Sequence, residues 1–339
     1  MLLGVIYALA AGLMWGLVFV APLMLPEYPV AMLAFGRYLA FGLIALPLAL
    51  ADWRALTQLH VADWLEATKL SLIGNIVYYL CLAAAIQRAG GPLPTMIIGT
   101  LPVVIALASN TRNAARDGRS SWQQMLPSLG LIALGIALVN QQELQALLAQ
   151  GGFDAARYGL GALLAVGAVA CWTWYPIRNA DWLRKHAGVQ EPASAGEALS
   201  KTGPSHELRS PRTWATAQGL VTLPLAVLGM LGFGWWNHAT GYGFDFPLGP
   251  RPLYFVALML AVGLLASWLG TLCWNEASQR LPTRIVGQLI VFETLAALAY
   301  AFTLRAQVPS LLTSLGIGLL IFGVLWALRP KAASTATPA

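Results

Sequence analysis

The stretch PLYFVALMLAVGLLASWLGTLCWN, residues 252–275, contains no charged side chain. As a helix with 1.5 Å rise per residue it would be about 36 Å long, enough for the ~30 Å hydrocarbon core of a bilayer. A strand of a transmembrane barrel would instead alternate in polarity over about ten residues. This run is continuous and more than twice that length. Inside lipid no water is available to satisfy backbone groups, so such a segment is read as a helix.

Similar runs recur along the whole chain. Hydrophobic residues fill 58% of the 339 positions and charged residues only 10%. Soluble domains carry about 25% charged residues, so this composition excludes a soluble globular enzyme and a disordered chain. A mean hydropathy of +0.66 agrees. The apolar runs predict an all-α polytopic membrane protein with ten spans. They lie at roughly 4–22, 30–50, 68–87, 92–109, 123–141, 157–177, 212–232, 252–275, 283–303 and 308–328. The first run lacks a basic n-region and is too long for a signal peptide, so it is read as a retained span.

Net charge is +6. In this alternating topology fifteen of the 20 Lys and Arg fall on the side of the N-terminus, among them Arg54, Lys69, Arg112, Arg178, Arg184, Arg212 and Lys331. Four fall on the other side: Arg88, Arg157, Arg251 and Arg305. Such asymmetry marks the cytoplasmic face and places both termini there, in a bacterial inner membrane. It accounts for the basic charge without nucleic acid as a partner; the bilayer is the partner, with anionic lipid near the basic loops. Cys81, Cys171 and Cys273 are odd in number and lie in apolar runs, so no disulfide framework or CxxC pair is expected. The four histidines sit in polar connections, and neither a metal site nor a cofactor is expected.

The chain also reads as a duplication. Leu80-Cys81 with Gln87-Arg88 matches Leu272-Cys273 with Gln279-Arg280, an offset of 192 (273 − 81). Pro94-Thr95-Met96-Ile97-Ile98-Gly99 matches Pro282-Thr283-Arg284-Ile285-Val286-Gly287 at an offset of 188 (282 − 94). Gly42-Leu43 matches Gly219-Leu220, Gly130 and Gly135 match Gly318 and Gly323, and Trp15 aligns with Trp172. A repeat of five spans is odd, so the second copy enters the membrane inverted, an arrangement found in carriers. Residues 1–141 are the expected first repeat and 142–156 a periplasmic connection. Residues 157–328 are the second repeat, with a cytoplasmic insertion at 178–211, and 329–339 are a cytoplasmic tail.

Few polar groups interrupt the spans. Glu293 lies near the middle of the ninth, where an ionised carboxylate costs roughly 2.5–3.5 kcal/mol and must face the bundle interior or water. It is the proton-coupling candidate and an equal candidate to hold an ammonium group. Arg37 lies about a third of the way down the second span. Its guanidinium suits a substrate carboxylate, an internal partner such as Glu293, or snorkelling to the surface. Trp15 and Trp172 on spans one and six, Asn75, Tyr78 and Tyr79 on span three, Trp268 and Thr271 on span eight and Gln288 on span nine complete an expected aromatic-walled cavity. Such walls suit an aromatic solute or a cation. Gly12-Leu13-Met14-Trp15-Gly16 is a GxxxG, most simply a close helix contact. Catalytic and nucleotide-binding motifs are missing: no HExxH, no P-loop, no GxSxG. An intramembrane enzyme is therefore the weakest of the alternatives.

Together the ten spans, the five-plus-five duplication, Met14-Trp15-Gly16, Arg37 and the Leu-Pro-Thr before spans four and nine resemble the drug/metabolite transporter superfamily, EamA-type branch. The resemblance covers nearly the whole chain. It implies a bundle with spans five and ten at the periphery around a central cavity. It also implies alternating-access export of small metabolites, often amino acids, and gives Trp15, Arg37 and Trp172 recurring family positions. The family's Gly-Glu pair at the ends of spans four and nine is absent; those ends read Ser109-Asn110-Thr111-Arg112 and Thr303-Leu304-Arg305. The expected activity is secondary active export of an amino acid or derivative, with protons as the possible coupling ion and a monomer or weak dimer as the unit. Transport of organic or quaternary ammonium cations is the alternative.

Overall fold

The computed structural model describes residues 1–89, 94, 97–112, 122–149, 154–186, 210–306 and 308–327. It is helical throughout those residues, with no strand. The order is α1 (Leu2–Met24), α2 (Val30–Ala51), α3 (Val61–Ala89), α4 (Leu101–Arg112), α5 (Trp122–Ala149), α6 (Ala155–His186), α7 (Pro211–Thr240), α8 (Pro252–Arg280), α9 (Thr283–Leu289), α10 (Val291–Arg305) and α11 (Leu311–Ala327).

Seven helical segments are long and apolar enough to cross a membrane: Leu2–Phe19, Val30–Ala51, Val61–Ala89, Ala156–Lys185, Pro211–Thr240, Pro252–Arg280 and Ile285–Leu304. Against the expectation of ten, the remaining three stretches are shorter where described. Met125–Gln141, within the 28-residue α5, and Leu311–Trp326 are the shorter apolar stretches. The fourth stretch is described as a continuous helix only from Leu101, after a turn at Gly99 and Thr100. The sixth helix runs on to His186, into the segment read as an insertion at 178–211. Most of that insertion, the 329–339 tail and part of the 142–156 connection lie outside the described residues.

Glycine decides where helices touch. Gly12 and Gly16 press on Phe292, Glu293 and Ala296; an added Cβ at Gly16 would stand 2.7 Å from the Ala296 Cβ. The GxxxG is thus a close contact of α1 with α10, as a run of small residues allows. Gly135 and Gly323 join α5 to α11 in the same way, with Ser128 Oγ donating to Gly323 O at 2.8 Å.

The polar connections sort onto two faces. On one, Arg112 pairs with Asp181, Arg178 with Glu66, and Arg212 with Asp52. Arg184 donates to the carbonyls of Ser278 and Leu281 at the end of α8, and Gly4 packs on Leu281. On the opposite face Arg251 pairs with Glu27, Tyr28 Oη donates to Leu248 O, and Arg157 donates to Gln87 O. The first is called the arginine-rich face below.

Candidate functional site

Between the faces, α1, α2, α3, α6, α8 and α10 line a narrow, partly open cavity. Its walls are Trp15, Val18, Arg37, Tyr38, Phe41, Asn75, Tyr78, Trp172, Tyr175, Ala266, Ser267, Thr271 and Glu293. Neither α5 nor α11 contributes.

Two helix irregularities shape it. Residues Leu70–Val77 of α3 and Gly263–Leu269 of α8 are π-helical. A π-turn closes its hydrogen bond over five residues, which widens the helix and is frequent at functional sites. In each stretch a carbonyl accepts from a neighbouring helix: Tyr38 Oη donates to Asn75 O at 2.9 Å, and Trp15 Nε1 donates to Ala266 O at 2.8 Å. Gly270 makes room for the Trp15 indole; an added Cβ there would lie 2.8 Å from Nε1.

The aromatic wall is a connected cluster. Trp15 meets Trp172 edge-on with ring centroids 5.0 Å apart and meets Trp274 at 5.0 Å. Trp172 lies 5.5 Å from both Tyr78 and Tyr175. Such contacts fix ring positions better than burial alone.

Arg37 is buried and held from several sides. Its Nε donates to Ser267 Oγ at 2.9 Å, and its guanidinium carbon lies 5.0 Å from the Tyr38 ring and 5.2 Å from the Tyr79 ring. Those contacts use Nε and place rings beside the cation, so the side chain does not snorkel to the surface. Glu293 sits in the first turn of α10, just past the interruption at Ile290. A helix N-terminus favours negative charge. Arg37 and Glu293 face one cavity, yet they form no ion pair within 4 Å.

Of the residues expected from sequence, Trp15, Arg37, Asn75, Tyr78, Trp172, Thr271 and Glu293 come together here. Three do not line the cavity. Tyr79 lies behind Arg37 and donates to Val18 O at 3.3 Å. Trp268 packs partly buried against the core on α8, its indole N–H without a partner. Gln288 is buried on α9, beside Gly287, which meets Ile105 of α4. All three were assigned by residue type and span; the helical rotation that decides which way each faces was not fixed by spacing. Tyr38, Phe41, Val18 and Ala266 line the cavity without having been singled out. For Tyr38 the available signal was a second polar aromatic directly beside Arg37.

Beneath the cavity a second polar group fills the way to the arginine-rich face. Tyr175 Oη donates to Gln218 Oε1 at 3.0 Å, and Gln218 Nε2 donates to Asn179 Oδ1 at 3.3 Å. Trp214 Nε1 donates to the same Asn179 oxygen at 2.8 Å, and Asn179 Nδ2 donates to Asn275 Oδ1 at 2.8 Å. Trp182 stacks on Trp214 at 3.5 Å and 7° and donates through Nε1 to Asp63 Oδ1. The aromatic segment 233–251, helical as far as Thr240, stays at the opposite face: Phe244 packs on Tyr28 and Phe233, away from the cavity walls. Among the described residues no group of three or more His, Cys, Asp or Glu is placed to hold a metal.

Residues 2–141 match the EamA-like transporter family. Inner membrane protein YtfF of Escherichia coli (strain K12) is 50% identical over 331 residues, which cover 98% of this chain and 96% of that protein. The chain belongs to the EamA-like transporter family. It is a multi-pass inner-membrane protein. A solved crystal structure superposes on it over 96% of each chain with a TM-score of 0.68 at 16% identity, a likeness of fold alone. Membership in the EamA-like family points to a transporter rather than an enzyme.

Proposed function

We propose that this EamA-like protein is a ten-helix secondary transporter that exports an amino acid or a related small metabolite by alternating access. The carrying observation is that Arg37 and Glu293 share a cavity without pairing. A zwitterion supplies a carboxylate for the former and an ammonium for the latter. Each buried charge then gains a partner only when solute is bound. Glu293 is also the residue to exchange protons against solute.

Ten helices in two inverted repeats, 1–141 and 157–328, are part of this reading. The two π-helical stretches lie 70–77 and 263–269, which differ by 192 at their last residues, the offset of the Cys81 and Cys273 match. Gly4 packs on Leu281 and Gly161 on Ala89, the same contact in each half. The arginine-rich face is cytoplasmic, with both termini, and the working unit is a monomer or weak dimer.

The test is counterflow in proteoliposomes with labelled amino acids, with thermal stabilisation of the purified protein as a binding readout. Wild type takes up the label and is stabilised by it; Arg37→Ala does neither, and Glu293→Gln alters the pH dependence of flux while folding normally. Absence of stabilisation by every zwitterion of the panel would sink the reading. The rings of Trp15, Trp172 and Tyr78 beside Glu293 favour organic cations as a second reading. Stabilisation by quaternary ammonium ions alone, lost in Glu293→Gln, would select it.

A further inference from the structure

The polar group below the cavity ties three helices together, as cross-helix amide hydrogen bonds do in membranes, but it holds more polar atoms than that bonding uses. Asn179, Gln218 and Asn275 are all fully buried between α6, α7 and α8. On the same three helices Thr173 Oγ1, Thr216 Oγ1 and Trp274 Nε1, the last beside the cavity wall, are buried with no hydrogen-bond partner. A buried polar atom without a partner costs free energy that hydration would recover. Polarity at these positions is useful in a state where water reaches them.

We infer that this layer is a closed route from the cavity to the arginine-rich face, and that Asn179 is its latch. The inference rests on the transport reading above. Asn179 hydrogen-bonds to both neighbours across the route. Its oxygen accepts from Trp214 and Gln218 of α7, and its nitrogen donates to Asn275 of α8. Tyr175 links the cavity wall to the same set through Gln218. Separation of α6 from α7 and α8 breaks these bonds together and exposes Thr216 and Trp274 to water. The bonds are neutral, and each contributes modestly, so the set holds the route closed without making it permanent. The Trp182–Trp214 stack and the Trp182–Asp63 hydrogen bond lie beyond it toward the surface and close the same passage a second time.

The test is thiol labelling of the full chain in vesicles that expose the arginine-rich face, using a charged, membrane-impermeant methanethiosulfonate. The reporter is Thr216→Cys in a background where Cys81, Cys171 and Cys273 are serine. Adding Asn179→Ala is expected to raise the labelling rate by about tenfold, the shift that loss of one or two such hydrogen bonds produces. Trp214→Phe keeps the ring on Trp182 and removes only the donor to Asn179; it raises the rate less, and it carries the test if Asn179→Ala does not fold. Asn140→Ala removes a buried amide on α5, remote from the route, and leaves the rate unchanged. Equal labelling in the parent, Asn179→Ala and Trp214→Phe would overturn the latch, as would an equal rise in Asn140→Ala. Labelling needs no solute, so its failure is separable from failure of the flux and binding assays.

Discussion

The cavity and the layer beneath it are both polar, and they are built in opposite ways. In the cavity two opposite charges stand apart, and Arg37 is steadied by a serine and two rings rather than by the acid. Around Asn179 the layer carries no charge; four neutral side chains share their donors and acceptors around it. An internal ion pair in the cavity would compete with any charged solute. A charged lock in the layer would be costly to break, since parting a buried ion pair costs about 3–5 kcal/mol. Neutral amide bonds, at ~0.5–1.5 kcal/mol each, part at lower cost. On the proposed transport reading, Arg37 and Glu293 stay unpaired where solute would bind, and amides are paired where helices would part.

The sharpest break of that contrast is Arg37→Ala. If the guanidinium meets a solute carboxylate in the cavity, its loss lowers solute affinity by about 100-fold, roughly 2.7 kcal/mol for a charged hydrogen-bonded contact. Arg37→Lys keeps the charge but not the planar fork and recovers only part of it. Isothermal titration of the purified variants measures both. An unchanged affinity would move the solute away from Arg37.

Next comes the seam between the regions. Gly74, in the π-helical part of α3, lies so close to Tyr175 that an added Cβ would stand 2.2 Å from the ring. Gly74→Ala is expected to cost about 1–3 kcal/mol by overpacking. Gly130 has open space around its Cβ position, so Gly130→Ala gains up to ~1 kcal/mol of helix propensity instead. Thermal melts in one detergent compare the two. Within the layer, Trp182→Phe keeps the stack on Trp214 and leaves Asp63 one donor short, a loss of about 1 kcal/mol in the same assay.

Much of this was legible in the chain itself. Uninterrupted apolar runs such as 252–275 give helices because lipid leaves the backbone no other solution. Arg37 and Glu293 stand out because charge inside a span is rare, and both reach the cavity. Spacing does not tell how far a helix is rotated once it widens into a π-turn. That is why Trp268 was expected at the wall; Tyr38, on the regular helix α2, was passed over although it adjoins Arg37. Asn179 stayed hidden for another reason. It follows Arg178 at the polar end of a span, where an amide looks like ordinary surface, and only the continuation of α6 to His186 places it inside.

The smallest effect is expected on the face opposite the arginines, where the contrast with the buried regions is greatest. Glu27 and Arg251 pair at 2.5 Å with both side chains partly in solvent. The hydrogen bond from Arg251 holds the Glu27 carboxyl below its ordinary value of 4.5 and raises the guanidinium above its own. A depressed carboxyl contributes stability that is complete above the unfolded value and is lost as pH falls through the folded one. The difference in melting temperature between wild type and Glu27→Gln is therefore expected to be steady near neutral pH and to shrink below 4.5. It also shrinks with added salt, because solvent screens an exposed pair. Trp182→Phe, which touches a contact buried in the layer, keeps its deficit in salt. A Glu27→Gln deficit that persisted at low pH and high salt would mean that Glu27 acts by packing, and would place this face with the buried layer rather than against it.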